Sequence, residues 1–314
     1  MQPNGPSLLI VSLEGVGDAV LSMPLLSIIS HAFPDHEQFL WLGPGQGELF
    51  FGWNAFQVLE VGDEENTRIV LSRYHELVFD LGTSTGHLID WIYQGELKYG
   101  KYVGFTKPNS IPREVAVPWP VGLPLWRQFI SLVSPLGIAT DGIRQFGIQT
   151  SALSESYAEM LLDFRADLPL ICLAPGASCD GLKRWPPECF AAFMKQLHAK
   201  RPCRFVLVGG RSEIEIGDAI AEAVPFEIDN LIGLTTLGSL AHILRKSRLL
   251  VSNDNGAMHM GALVGVPTIG LFGPSNPEVY TPLGNRTTLI VSDSGRIIDI
   301  DLGHVVKVAL EAIE

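Results

Sequence analysis

Short apolar runs that end in a turn and continue into a helical stripe recur along this chain. That alternation restricts it to α/β architectures, in which a parallel sheet is covered on both faces. Residues 8–13 read as the opening strand, and residues 18–32 follow with helical spacing. Residues 39–42, 58–61, 77–81 and 102–105 read as further strands, and 125–136 as a helix. A polar stretch at 150–156 then leads into a helix near 157–164. The pattern restarts with a strand at 168–174 and a helix at 187–200, where Phe190, Phe193, Met194 and Leu197 fall at i, i+3, i+4 and i+7. Strands at 204–208, 249–252 and 268–272 alternate with the stripe Leu237, Leu240, Ala241 and Leu244, and 305–313 reads as a terminal helix.

A chain of 314 residues exceeds the comfortable size of one hydrophobic core. The restart near 150–166 therefore divides it into two Rossmann-like domains, 1–160 and 161–314, facing across a cleft. An apolar fraction of 46% argues against disorder, and a net charge of −12 argues against nucleic acid as a partner. Cys172, Cys179, Cys189 and Cys203 lack zinc-ligand spacing, Cys172 and Cys203 read as small core residues, and a reducing cytoplasm is the natural setting. No signal-peptide pattern opens the sequence, and no apolar run is long enough to span a bilayer.

Ligands bind open α/β sheets beyond the carboxyl ends of their strands, so the informative loops are those that follow strands. The segment VSNDNGAMH, residues 251–259, is one. Asp254 leaves a strand, Asn255-Gly256-Ala257 open a helix, and His259 lies in its first turn. A helix start of this kind offers unpaired N–H groups and positive potential to phosphate; an ordinary capped helix explains it equally well. Glu14-Gly-Val-Gly-Asp18 is a second, with Gly15 and Gly17 permitting a tight turn. It fails the GxGxxG spacing because position 20 is Val20, which disfavours a nicotinamide-dependent oxidoreductase. Asp18 is either a helix cap or a general base. A third loop carries Ser178, Lys183 and Arg184, either a phosphate cradle or solvated surface cations. A fourth, Val208-Gly-Gly-Arg-Ser-Glu213, suits a nucleoside or a simple turn.

Taken together, these motifs resemble glycosyltransferase family 9, the heptosyltransferases of GT-B fold. LLIVSLEGVGDAVLSMPLL (8–26) is similar to the family's opening strand, GD loop and helix. LAPGASCDGLKRWPPECFAAF (173–193) is similar to its PGA…KRWP segment, and NDNGAMHMGALVGVPTIGLFGPSNP (253–277) to its D-S/T-G-x-x-H signature and FGP turn. The resemblance implies an acceptor-binding first domain, a donor-binding second domain, and a last helix that packs back on the first. It implies that Asp18 is the catalytic base and that Lys183 and Ser178 contact the donor. Asp254, Asn255, Gly256, Ala257 and His259 would hold the nucleotide diphosphate, and Glu213 or Ser212 would meet the ribose. The implied chemistry is inverting transfer, without metal or other cofactor, of heptose or a related sugar. The donor would be an ADP-linked sugar, and the acceptor a lipopolysaccharide-core or other glycan or glycolipid at the inner face of the membrane. A catalytically silent binding protein on the same fold is the alternative. The chain departs from the family in two places. Asn255 stands where Ser or Thr is usual, and the segment from Asp80 to His87 carries no Arg or Lys.

Overall fold

The computed structural model describes residues 5–12, 15–82, 95–106, 114–141, 143, 146–164, 168–177 and 181–314. They form two compact units, Met1–Gly147 and Ile148–Glu314. The first contains β1 (Ser7–Ser12), α1 (Val16–Ala32), β2 (Glu37–Leu42), β3 (Phe56–Glu60), α2 (Glu64–Ser72), β4 (Tyr74–Asp80), β5 (Lys98–Thr106), β6 (Val115–Pro118) and α3 (Leu125–Ile130). Its strands are parallel neighbours in the order β3-β2-β1-β4-β5-β6. All six residues of β1 are buried, as expected of a central parallel strand covered on both faces. Helix α1 is buried from Ala19 to Ile29 and packs against α3. That explains its continuous apolar character in place of a one-sided stripe.

The second unit contains α4 (Ala152–Leu161), β7 (Leu170–Ala174), α5 (Pro187–Lys200), β8 (Arg204–Leu207), α6 (Ile214–Ala223), β9 (Asp229–Asn230), α7 (Leu237–Lys246), β10 (Leu249–Asn253), α8 (Gly256–Val264), β11 (Thr268–Phe272), β12 (Thr287–Val291) and α9 (Leu302–Ile313). The strands, again parallel, run β12-β11-β10-β7-β8-β9. Counted from its own first strand, this sheet repeats the order of the first: third, second, first, fourth, fifth, sixth. The predicted Phe190, Phe193, Met194 and Leu197 stripe of α5 is buried in a core shared with Phe205, Val251 and Leu271. Helix α8 lies so close to the sheet that a Cβ on Gly261 would come within 2.4 Å of Leu250. It ends at Gly265, whose left-handed φ of 86° suits glycine.

Several boundaries differ from the sequence reading. The units divide between Gly147 and Ile148, not at residue 160. Ser151 caps α4 by accepting from Ser154 N–H, so the helix starts inside the stretch read as polar linker, and it packs on α7. The Arg245 guanidinium also holds the Ile148 carbonyl and the Thr150 hydroxyl within the second unit. The apolar face of helix α9, Val305, Val306, Ala309 and Ile313, belongs to the core that contains α5. The helix read over 125–136 is α-helical only to Ile130 and continues as a 3-10 turn to Leu136. Pro135 lacks the N–H that an α-helical bond to Ser131 requires. Strands β6, β9 and β12 were not apparent in the sequence; all are short or partly exposed, so the apolar run that marks a central strand is missing.

Candidate functional site

In each sheet the strand order reverses between the first and fourth strands, and the crevice at that point is where open α/β sheets bind ligands. In the second unit those strands are β7 and β10. The loops that leave them are joined by two buried or half-buried asparagines. Asn253 Nδ2 donates to the Pro175 carbonyl at 2.7 Å, and its Oδ1 accepts from Trp185 N–H at 3.1 Å. Asn255 caps α8 by accepting from Met258 N–H, and its Nδ2 donates to the Gly176 carbonyl at 2.7 Å. Trp185 is fully buried with its ring edge-on to Phe190, which anchors the far end of the lysine loop in the core.

The charged groups meet where these loops meet. Lys183 Nζ lies 3.1 Å from Asp254 Oδ2 and 5.2 Å from the centre of the Tyr280 ring. The Asp254 side chain is only 5% exposed, whereas Lys183 keeps 26% of its surface accessible. Arg184, its neighbour, turns away: its Nε and an Nη donate to the Ala177 carbonyl at 3.1 and 2.9 Å. Of the two adjacent cations, one therefore braces the loop and the other faces the carboxylate. The N–H groups of Gly256 and Ala257 have no acceptor among the described residues, and the positive end of α8 is directed at the same place.

His259 Nε2 is 4.0 Å from Asp254 Oδ1, and its buried Nδ1 has no hydrogen-bond partner among the described residues. Burial lowers its pKa from 6.5 to about 4, Asp254 opposes that shift, and Lys183 adds to it. The imidazole is therefore neutral near pH 7. Because the unfolded chain takes up this proton first, the associated stability is complete above pH 6.5 and is lost as pH falls through about 4. We predict that wild-type Tm declines more steeply over that window than the Tm of His259→Gln, which cannot titrate; parallel pH profiles would contradict it.

Glu213 comes to the same crevice from the β8 side. Its Oε2 accepts from Gly210 N–H at 2.8 Å. A Cβ placed on Gly176 would fall 1.8 Å from Glu213 Oε1, so only glycine lets the carboxylate rest on that backbone. Lys183, Glu213 and Asp254–His259 are thus brought together. Ser178 lies outside the described residues. Among the described residues no group of three or more His, Cys, Asp or Glu could hold a metal ion, and no helix is long and apolar enough to cross a membrane. Cys172 and Cys203 are core thiols whose burial raises their pKa, that of Cys203 to about 12.

In the first unit the corresponding strands are β1 and β4. Gly15 occupies the N-cap position of α1, so Asp18 is not the cap; it stands in the first turn, half-buried, beyond Gly15 and Gly17. The sequence reading missed Asp80, which ends β4 and is 1% exposed. It accepts from the Tyr102 hydroxyl at 2.7 Å and from Gly82 N–H at 3.0 Å. A carboxylate closing an apolar run was the available signal, but its tyrosine partner lies 22 residues away.

Comparison with known proteins gives the family and the fold. The model of "Glycosyltransferase family 9 (heptosyltransferase)" matches residues 110–306. Lipopolysaccharide heptosyltransferase 2 of Escherichia coli (strain K12) is 31% identical over 214 residues, 65% of this chain and 58% of the relative. Lipooligosaccharide heptosyltransferase 2 of Haemophilus influenzae is 29% identical over 167 residues, 52% of this chain and 44% of the relative. The chain thus spans about half the length of these curated relatives. The solved structure of E. coli ADP-heptose lps heptosyltransferase II superposes with a TM-score of 0.81 at 21% identity, covering 98% of each chain. The two parallel six-stranded sheets are those of the GT-B fold.

Proposed function

Since the chain belongs to glycosyltransferase family 9, we propose that it transfers heptose or a related sugar from an ADP-linked donor to a lipopolysaccharide-core or other glycan acceptor. The second unit binds the donor and the first binds the acceptor. The observation that carries this reading is the ammonium of Lys183, held 3.1 Å from Asp254 beside the open N-terminus of α8. A partly accessible cation and unpaired N–H groups at one strand-end crevice are what a leaving diphosphate requires.

In the proposed reaction an acceptor hydroxyl attacks the anomeric carbon and gives its proton to the Asp18 carboxylate. The bond from that carbon to the diphosphate oxygen breaks, and its electron pair stays on the leaving oxygen. Lys183 and the N–H groups of Gly256 and Ala257 meet the added negative charge. A single displacement inverts the anomeric centre. Lys183 and the helix supply the charge neutralisation that a metal gives elsewhere, so the reaction runs without one. Neutral His259 and the Glu213 carboxylate offer hydrogen bonds to the nucleotide, Glu213 at the ribose. The acceptor places the enzyme, on this reading, at the inner face of the membrane.

Calorimetry with ADP-, UDP- and GDP-linked sugars, ADP and NAD tests the reading. ADP-linked sugars are expected to bind tightest. Failure of every nucleotide sugar to bind would overturn it, and tight binding with no transfer or hydrolysis would identify a silent binding protein.

A further inference from the structure

Both N–H donors and the capping oxygen of the Asn255 side chain are used inside the protein. Its Oδ1 accepts from Met258 N–H at 3.1 Å and lies 3.0 Å from the Ser252 hydroxyl, whose one proton also faces the Asn253 carbonyl at 2.8 Å. Its Nδ2 donates to the Gly176 carbonyl at 2.7 Å and to the Ala174 carbonyl at 3.3 Å. A primary amide has two N–H donors, so the two carbonyls use both of them, and its oxygen is engaged by the helix cap. The two carbonyls and the Met258 N–H also fix which end of the amide is oxygen.

From these commitments we infer that Asn255 is a positioning residue, which preassembles the site without touching the diphosphate; the inference rests on the nucleotide-diphosphate reading above. The amide joins two pieces that must act on one ligand. On one side is the start of α8, with the free N–H groups of Gly256 and Ala257. On the other is the start of the lysine loop, Ala174–Gly176, whose glycine also seats the Glu213 carboxylate. Asn253 ties the same loop at Pro175 and again at Trp185, close to Lys183. Two side chains flanking Asp254 thus hold both ends of the segment that carries the cation. A serine or threonine at 255 has a single hydroxyl on a shorter arm. It can cap the helix, but it cannot also donate to two carbonyls of the neighbouring loop. The larger amide is therefore a different way of building the crevice, in which the loop is held before the ligand arrives.

Two variants and two readouts test this. Asn255→Ser keeps a capping oxygen, and Asn255→Asp keeps the cap but loses the donors to Ala174 and Gly176. Thermal unfolding establishes that both are folded. With ADP as the calorimetric probe, each is expected to raise Kd about three-fold to thirty-fold, the equivalent of one or two neutral hydrogen bonds. In the ligand-free proteins, amide hydrogen exchange over Ala174–Ala177 is expected to quicken in both. If Asn255 contacted the diphosphate directly, a serine hydroxyl would keep most of the affinity and a carboxylate would lose far more. Exchange in the ligand-free loop would then stay at the wild-type rate, and that result overturns the inference. Should wild-type protein show no affinity for ADP, the functional reading fails, and the exchange measurement alone decides: faster exchange upholds positioning, unchanged exchange refutes it.

Discussion

Replacing Asp18 by asparagine is expected to lower kcat about 10²–10⁴-fold, the usual contribution of general base catalysis. ADP affinity should be unchanged, because the proposed nucleotide site is built from residues of the second unit. The fold should survive. Gly15, not Asp18, caps α1. The substitution keeps the shape of the side chain and removes its negative charge from the first helical turn, where such a charge is worth about 0.3–1 kcal/mol. Tm should therefore fall by a few degrees at most, and kcat measured with ADP-heptose separates lost chemistry from lost structure. Transfer at the wild-type rate by Asp18→Asn, or loss of wild-type activity on adding EDTA, would rule out the metal-free base mechanism.

Lys183→Ala is expected to raise the Kd for ADP about ten-fold to a hundred-fold. Hydrogen bonds to charged groups contribute ~1.5–3 kcal/mol. The substitution has a second consequence, because Asp254, 5% exposed, loses the cation 3.1 Å away. An uncompensated buried carboxylate is costly, so Tm should fall as well. Adenosine, which lacks the diphosphate, discriminates between the two effects. If Lys183 acts on the diphosphate, adenosine binds the variant as it binds wild type while ADP binding weakens. Equal weakening of both ligands would mean that the lysine only holds the site together.

Much of the second unit was legible in the sequence because its local signals agree with one another. Asn255 is a cap residue before a helix, Gly265 is a stop after it, and the α5 stripe has a clean helical period. The strands β1, β7, β10 and β11 announce themselves as unbroken apolar runs because both faces of each are covered. Edge strands such as β9 and β12 do not, since partial exposure removes that signature. The opening loop left Asp18 open between cap and base, and the structure puts Gly15 at the cap position.

What the sequence determined by itself is therefore the local grammar: which segments are strands and helices, that there are two α/β halves, and which loops follow strands. Tertiary structure alone decided which of those loops meet. Strand order sets β7 beside β10, and only that adjacency brings Lys183 to Asp254 across 71 positions of chain. It also sends Arg184 to brace a carbonyl, seats Glu213 on Gly176, and directs the amide of Asn255 to its neighbouring loop. Hydrogen bonds and ion pairs act over a few ångströms, so groups far apart in sequence interact only once the sheet has placed them side by side.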